Sequence, residues 1–200
     1  MTTPIKKSRV RKYRALIDTA APLAAVAALL ATSLIPTAFA EVTGASASGF
    51  QVRESVHVGA TPEVVYAALI TPKRWWDPKH TFSGDAGRLT LDAKAGGCWC
   101  ETLPDGGSAE HLSVVYLAPG KVMRLRGALG PLQAMGVTGS LTFTLTAAGG
   151  GTDLIATYAI GGYSKDGFDG LSKAVDGVLG SQISRLKKLV ESGSPESAAP

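Results

Sequence analysis

Two carboxylates and a Cys-x-Cys pair are the residues of this chain whose types and positions could do chemistry. Glu54 lies in a run, Phe50 to Val58, whose alternation sets Val52, Glu54, Val56 and Val58 on one face and Arg53, Ser55 and His57 on the other. Glu101 shares a face with Trp99 and Leu103 by the same period of two. A carboxylate on an apolar strand face is costly without a partner, and burial raises its pKa. Either each pairs with a basic group or sits near a rim, or the two act as acid and base in a reaction such as an aldol cyclisation. No spacing in the sequence brings them together.

Cys98 and Cys100 fall on the face opposite Trp99, and the expected strand register adds His111 and Ser113 to them. The three ligand-type residues Cys98, Cys100 and His111 are the candidates for a metal. Cys-x-Cys on a flat strand lacks the two-residue knuckle spacing of zinc sites and a fourth ligand is missing, so no metal is expected. A direct bridge between i and i+2 on one extended strand is strained, which leaves reduced or loosely oxidised thiols as the expectation. His80 sits in Asp77-Pro78-Lys79-His80, a loop that follows the paired tryptophans and reads as lying near a pocket mouth, although a lone loop histidine is usually solvated. The three histidines lie on separate elements, and there is no Gly-x-Ser-x-Gly, phosphate-binding loop or dinucleotide fingerprint. No cofactor is expected.

The elements that position these groups follow from period and turn chemistry. After the first strand, Thr61-Pro62-Glu63 opens a helix carrying Val64, Val65, Ala68 and Leu69, Pro72 closes it, and a short second turn carries Trp75 and Trp76. Runs 88–91, 97–103, 109–117, 121–126, 137–147 and 152–160 read as strands, separated by Asp105-Gly106-Gly107, Pro119-Gly120 and Gly149-Gly150-Gly151. A helix over about 168–190 repeats its apolar residues at helical spacing. Together these predict an α+β fold, a curved seven-stranded antiparallel sheet wrapped around the long C-terminal helix, with two short helices after the first strand.

A two-residue turn at Gly106-Gly107 would set Trp99 opposite Val114 and Glu101 opposite Leu112, lining Trp99, Glu101, Leu112, Val114 and Tyr116 on the concave face. Met123, Leu125, Phe143 and Tyr158 extend that face by alternation, and large apolar side chains with a few polar groups suit either a filled core or a small-molecule pocket. The segment Leu129-Gly130-Pro131-Leu132-Gln133-Ala134-Met135 joins two strands and is apolar, so Leu129, Leu132 and Met135 either close a cavity as a gate or pack against the body.

The order of elements, with Thr61-Pro62-Glu63-Val64-Val65-Tyr66 followed by Thr71-Pro72-Lys73-Arg74-Trp75-Trp76, resembles the SRPBCC (START-like, helix-grip) superfamily. Gly96-Gly97-Cys98-Trp99 is similar to the glycine pair and aromatic of its polyketide-cyclase and ATPase-activator-like branches. The resemblance spans about residues 50–190. It implies a deep apolar cavity between concave sheet and long helix, used by different members for lipids, sterols, polyketides or hormones, and it carries no fixed catalytic set. On that basis Trp76, Trp99, Leu112, Tyr116, Met123, Leu125, Phe143 and Tyr158 are the expected ligand contacts.

Charge excludes one class of partner. The chain of 200 residues has a formal charge of +4, but six of its 20 basic residues and one of its 16 acids precede residue 41, leaving 14 basic against 15 acidic. If those first 40 residues are removed in the mature protein, no basic stripe remains to read nucleic acid. The first 40 residues show a basic stretch to Arg14, an apolar run from Ala20 to Ile35 broken by Pro22, and Ala38-Phe39-Ala40, the pattern of a secretory signal, with an uncleaved anchor as the alternative. The organisation expected is a signal over 1–40, a flexible linker over 41–49, one domain over 50–191 and a disordered tail over 192–200. The function expected is an exported, periplasmic or secreted binding protein for a hydrophobic small molecule, with no stable membrane insertion after signal removal. A cyclase- or hydratase-type enzyme using Glu54 or Glu101 comes second and an ATPase-activator-like co-chaperone third, since an exported chain would not meet a cytosolic ATPase. The oligomeric state is not set by the sequence.

Overall fold

The computed structural model describes residues 39–196. The signal segment therefore lies outside the described residues except for Phe39 and Ala40, and so do residues 197–200 of the expected tail.

Alternation produces the sheet. β1 (Phe39–Ser46) and β2 (Gly49–Val58) make a hairpin, and after the helical segment come β3 (Leu89–Leu91), β4 (Cys98–Thr102), β5 (Ser108–Ala118), β6 (Val122–Gly127), β7 (Gly136–Ala148) and β8 (Gly151–Tyr163). The eight strands form one antiparallel sheet in the order β1-β2-β8-β7-β6-β5-β4-β3. In β2 every second residue is buried, as the period of two requires. The long β7–β8 hairpin turns at Gly149 and Gly150, whose φ values of 55° and 80° are open to glycine at little steric cost.

Two helices cover the concave side. α1 (Pro62–Leu69) starts with Pro62 in its first turn, buries Val65, Ala68 and Leu69, and gives way to a 3-10 turn at Pro72–Arg74. α2 (Asp169–Ser192) buries Leu179, Ile183, Leu186 and Leu189, and Gly193, at φ 80°, ends it in the left-handed conformation that usually closes a helix. Val52, Leu141, Phe143, Leu154 and Leu112 face this helix side from the sheet and are fully buried. The expected α+β helix-grip architecture is the one observed, with eight strands in place of seven.

The added strand is β1, which runs from the last two residues of the expected signal through most of the segment expected as a flexible linker. Its residues are mostly small or polar, and from 41 to 46 all are exposed except the half-buried Val42, so no alternation marks it. What holds it is backbone pairing to the otherwise open edge of β2, from Phe39 opposite Ser55 to Ser46 opposite Gly49.

The β4–β5 register also differs from expectation. The connection is five residues long, a 3-10 turn at Pro104–Gly106 with Asp105 at φ 59° and Gly106 at φ 81°, so Thr102 pairs with Ser108 and Glu101 with Ala109. Two bulges in β5 then reset the faces. Between Trp99, opposite Leu112, and Cys100, opposite Glu110, His111 is the extra residue, and it turns inward so that His111 and Leu112 are both buried. Between Val114 and Tyr116 the extra residue is Val115, and both Val115 and Tyr116 turn outward.

Candidate functional site

α2 does not fill the concave face of the sheet. Beside it lies a partly enclosed cavity of about 330 Å³, walled on the helix side by Leu171, Val175, Val178 and Leu179 and on the sheet side by Tyr158 and His111. Trp76, Lys79, His80 and Phe82 border it from the segment after α1, and Leu129 to Leu132 from the β6–β7 connection. That volume lies at the low end of the roughly 300–1,000 Å³ of small-molecule sites.

The segment carrying Trp76 is held in three ways. Trp75, Trp76 and Trp99 pack edge to face with centroids 5.1 to 6.0 Å apart. Trp76 Nε1 donates to the His80 carbonyl at 2.9 Å, closing the turn Pro78–His80. From α2, Gln182 Oε1 accepts the Asp77 N–H at 2.8 Å and Arg185 Nε donates to the Trp75 carbonyl at 2.8 Å. The helix that forms one wall thereby fixes the opposite one.

Tyr158 fixes a third side. Its hydroxyl donates to the Gly127 carbonyl and accepts the Leu129 N–H, both at 3.1 Å, and burial pushes its pKa up to about 12, so it stays neutral. Leu129 and Leu132 of the expected gate border the cavity, and Leu132 is buried. Met135 packs against the core without reaching the cavity wall.

Of the expected ligand contacts, Trp76 and Tyr158 line the cavity. Trp99, Leu112, Met123, Leu125 and Phe143 are buried on the concave side but belong to the packed core around it. Tyr116 must be corrected: the Val115 bulge turns its ring out, 51% exposed, with the Arg124 guanidinium 5.8 Å from its centre.

The two carboxylates are both buried, and neither borders the cavity. Glu101 stands behind the wall. Its Oε1 accepts the Ser83 N–H at 2.6 Å, and its Oε2 accepts the Phe82 N–H at 3.0 Å and His111 Nε2 at 2.9 Å. Burial is the largest single influence and acts to raise its pKa, but the hydrogen bonds from Ser83, Phe82 and His111 together outweigh it and hold the carboxyl below its ordinary value. An ionised carboxylate only accepts, so His111 Nε2 carries the proton between them. Phe82 stacks on the imidazole, centroids 5.5 Å apart and planes 9° from parallel.

Glu54 lies between β2 and α2 with an acid for a neighbour. Burial first, then the charge of Asp176 and a hydrogen bond to it, push its pKa up to about 7. Among the described residues, Glu54 Oε1 and Asp176 Oδ1 have no hydrogen-bond partner. Gly180 lets α2 come this close, since a Cβ there would meet both Glu54 oxygens at 3.2 Å.

The expected Cys98, Cys100 and His111 cluster is not formed. His111 turns to the other face at its bulge, and the two cysteines, expected as reduced or loosely oxidised thiols with a direct bridge strained, are joined to each other. Their Cα atoms stand 5.3 Å apart beside the bulge, within the roughly 4.4–6.8 Å that a bridge accepts and shorter than a flat strand gives. Among the described residues no group of three or more His, Cys, Asp or Glu is arranged to hold a metal, and no helix is long and apolar enough to cross a membrane.

The loop 77–80, expected near a pocket mouth, does border the cavity through Lys79 and His80, whereas Phe82 and His111 as cavity residues and Asp176 beside Glu54 were not expected. Phe82 lies in a loop without periodicity, and His111 depends on a bulge that composition does not mark. Asp176 had a signal: with Gly180 four residues on, it shares a helix face.

A family model described as polyketide cyclase / dehydrase and lipid transport matches residues 49–191. No curated protein matches the chain. Among solved structures, a conserved protein of unknown function from Enterococcus faecalis is 17% identical with a TM-score of 0.54, over 82% of this chain and 80% of that one. An uncharacterised protein from Rhizobium leguminosarum is 19% identical with a TM-score of 0.53, over 74% and 98%. One from Mesorhizobium loti is 18% identical with a TM-score of 0.51, over 70% and 96%. Likeness at these identities shows the fold.

Proposed function

The chain belongs to the polyketide cyclase / dehydrase and lipid transport family, and from that membership and the form of its cavity we propose that it is a binding protein for a hydrophobic small molecule, lipid-like or polyketide-like. The observation that carries this reading is the apolar space of about 330 Å³ left between sheet and α2. A partly enclosed, mostly apolar space bordered by a few polar groups is the form that small-molecule sites take. Its walls are pinned to one another through Gln182, Arg185 and Tyr158, which keeps the site open without a ligand and lowers the ordering cost of binding.

The same reading places the protein outside the cytoplasm, supported by the three-zone amino terminus and Ala38-Phe39-Ala40. A cyclase or hydratase working through Glu54 or Glu101 is less well supported, since one faces Asp176, the other is engaged by three donors, and neither borders the cavity.

Native mass spectrometry of protein purified from its own host tests the reading. A copurified apolar compound at about one per chain is the expected result. Protein that emerges empty and takes up no apolar compound afterwards would refute it.

A further inference from the structure

The groups around the cavity are not evenly distributed in charge. Its ionisable lining residues are Lys79, His80, His111 and the neutral Tyr158, and no carboxylate is among them. The acids nearby are occupied. Glu101 sits behind His111 with its three donors, Asp77 Oδ1 accepts the Lys79 N–H at 2.9 Å, and Glu110 is engaged by the Ser113 hydroxyl. The side chains of Lys79 and His80 have no hydrogen-bond or ion-pair partner among the described residues.

His111 is the fixed member of this set. Its ring is 6% exposed, clamped between the Phe82 ring and the Glu101 carboxylate. With Nε2 committed to Glu101, Nδ1 has no partner among the described residues on a side chain that borders the cavity. With its proton on Nε2, the ring presents a lone pair at Nδ1, which accepts a hydrogen bond from the O–H of an acid in the cavity. Phe82 follows His80 by two residues and stacks on His111, which brings the Pro78–His80 turn to the same end of the cavity. Leu171, Val175 and Val178 supply an apolar wall.

Resting on the ligand-binding reading above, we propose that the cavity selects an amphipathic acid, an apolar body bearing one carboxylate or comparably acidic oxygen, which His111, oriented by Glu101, receives together with Lys79 and His80. The acidic O–H donates to the pre-positioned Nδ1, the Lys79 ammonium attracts the negative charge that the oxygen carries, and the apolar body replaces water along α2. An alcohol of equal chain length gains the burial without the charge. His111 is thus a specificity residue and Glu101 a positioning residue.

Displacement of the neutral probe N-phenyl-1-naphthylamine from the full chain, by dodecanoic acid and by dodecan-1-ol at pH 7, tests this. The acid is expected to displace at a concentration about tenfold or more below the alcohol's. Two variants separate charge recognition from folding. H111Q keeps an N–H for Glu101 but removes the second ring nitrogen, and K79M alters an exposed side chain. In both, the acid-to-alcohol ratio should fall to about threefold or less. Equal displacement by acid and alcohol in the wild type, or a full ratio retained in both variants, overturns this inference and leaves the cavity reading standing. Failure of either compound, and of the probe, to bind overturns both.

Discussion

Glu54 and Glu101 carry the same mark in the sequence, a carboxylate on an apolar strand face, and the fold treats them in opposite ways. Glu101 meets two backbone N–H groups and an imidazole, which hold it ionised below its ordinary value. Glu54 meets Asp176, and burial with that neighbour moves it to about 7. The strand pattern dictates burial, and the facing element dictates the charge state. Beside Glu101 the facing element is a loop with free donors, and beside Glu54 it is a helix flank carrying an acid. Only the first of the two regions borders the cavity, through His111.

Removing Glu101 should have the largest effect. E101A leaves three donors without their acceptor in a buried site, and a loss of about 3–5 kcal/mol in chemical denaturation is expected. A loss below about 1 kcal/mol would show that water replaces the carboxylate at little cost. The same experiment on Glu54 should run the other way. Its folded pKa of about 7 exceeds the ordinary 4.5, so its contribution is fully present below pH 4.5 and is lost as pH rises through 7. Wild-type stability should therefore fall by about 2–3 kcal/mol from this group between pH 4.5 and 8, and E54Q should remove that slope and be the more stable protein at pH 8. Parallel pH profiles for the two proteins would erase the distinction between the carboxyls. Glu101 has the reverse sign, its contribution being present above 4.5 and lost as pH falls through its lowered value.

A third buried titratable group, Tyr158, separates structural anchoring from gating. Y158F removes the acceptor for Leu129 N–H and the donor to Gly127, at a cost of about 1–2 kcal/mol. Amide exchange over 129–135 should then quicken in the empty protein and slow again with a bound apolar ligand, as a gate requires. Equal protection with and without ligand would make the segment a fixed wall. The smallest effect belongs to Tyr116, expected by alternation in the cavity and found outside it: Y116A should change stability by less than about 0.5 kcal/mol and leave probe affinity unaltered.

The strands and both helices were legible because alternation and helical spacing report burial directly, as in β2 and α2. β1 was not, because its small polar residues bury no face and its place is set by a backbone edge. At the site, Trp76, Tyr158, Leu129 and Leu132 were legible. The errors trace to β5, where two extra residues, His111 and Val115, each reverse the alternation. One reversal brings His111 to the cavity and away from the cysteines, and the other removes Tyr116 from it. Register counted from Gly106-Gly107 could not recover this, since Asp105 adopts a left-handed conformation and lengthens the turn. The partner of Glu54 required knowing which flank of α2 meets β2, a tertiary fact.

Titration of wild type and A174W with a neutral apolar probe, followed by fluorescence, tests the cavity most directly. Ala174 borders it from the exposed side of α2, so an indole there occupies the space without entering the core. About one probe should bind per wild-type chain with a shift in tryptophan emission, and affinity should weaken about tenfold or more in a folded A174W. Equal affinity in the two proteins, or no saturable binding to the wild type, would contradict it.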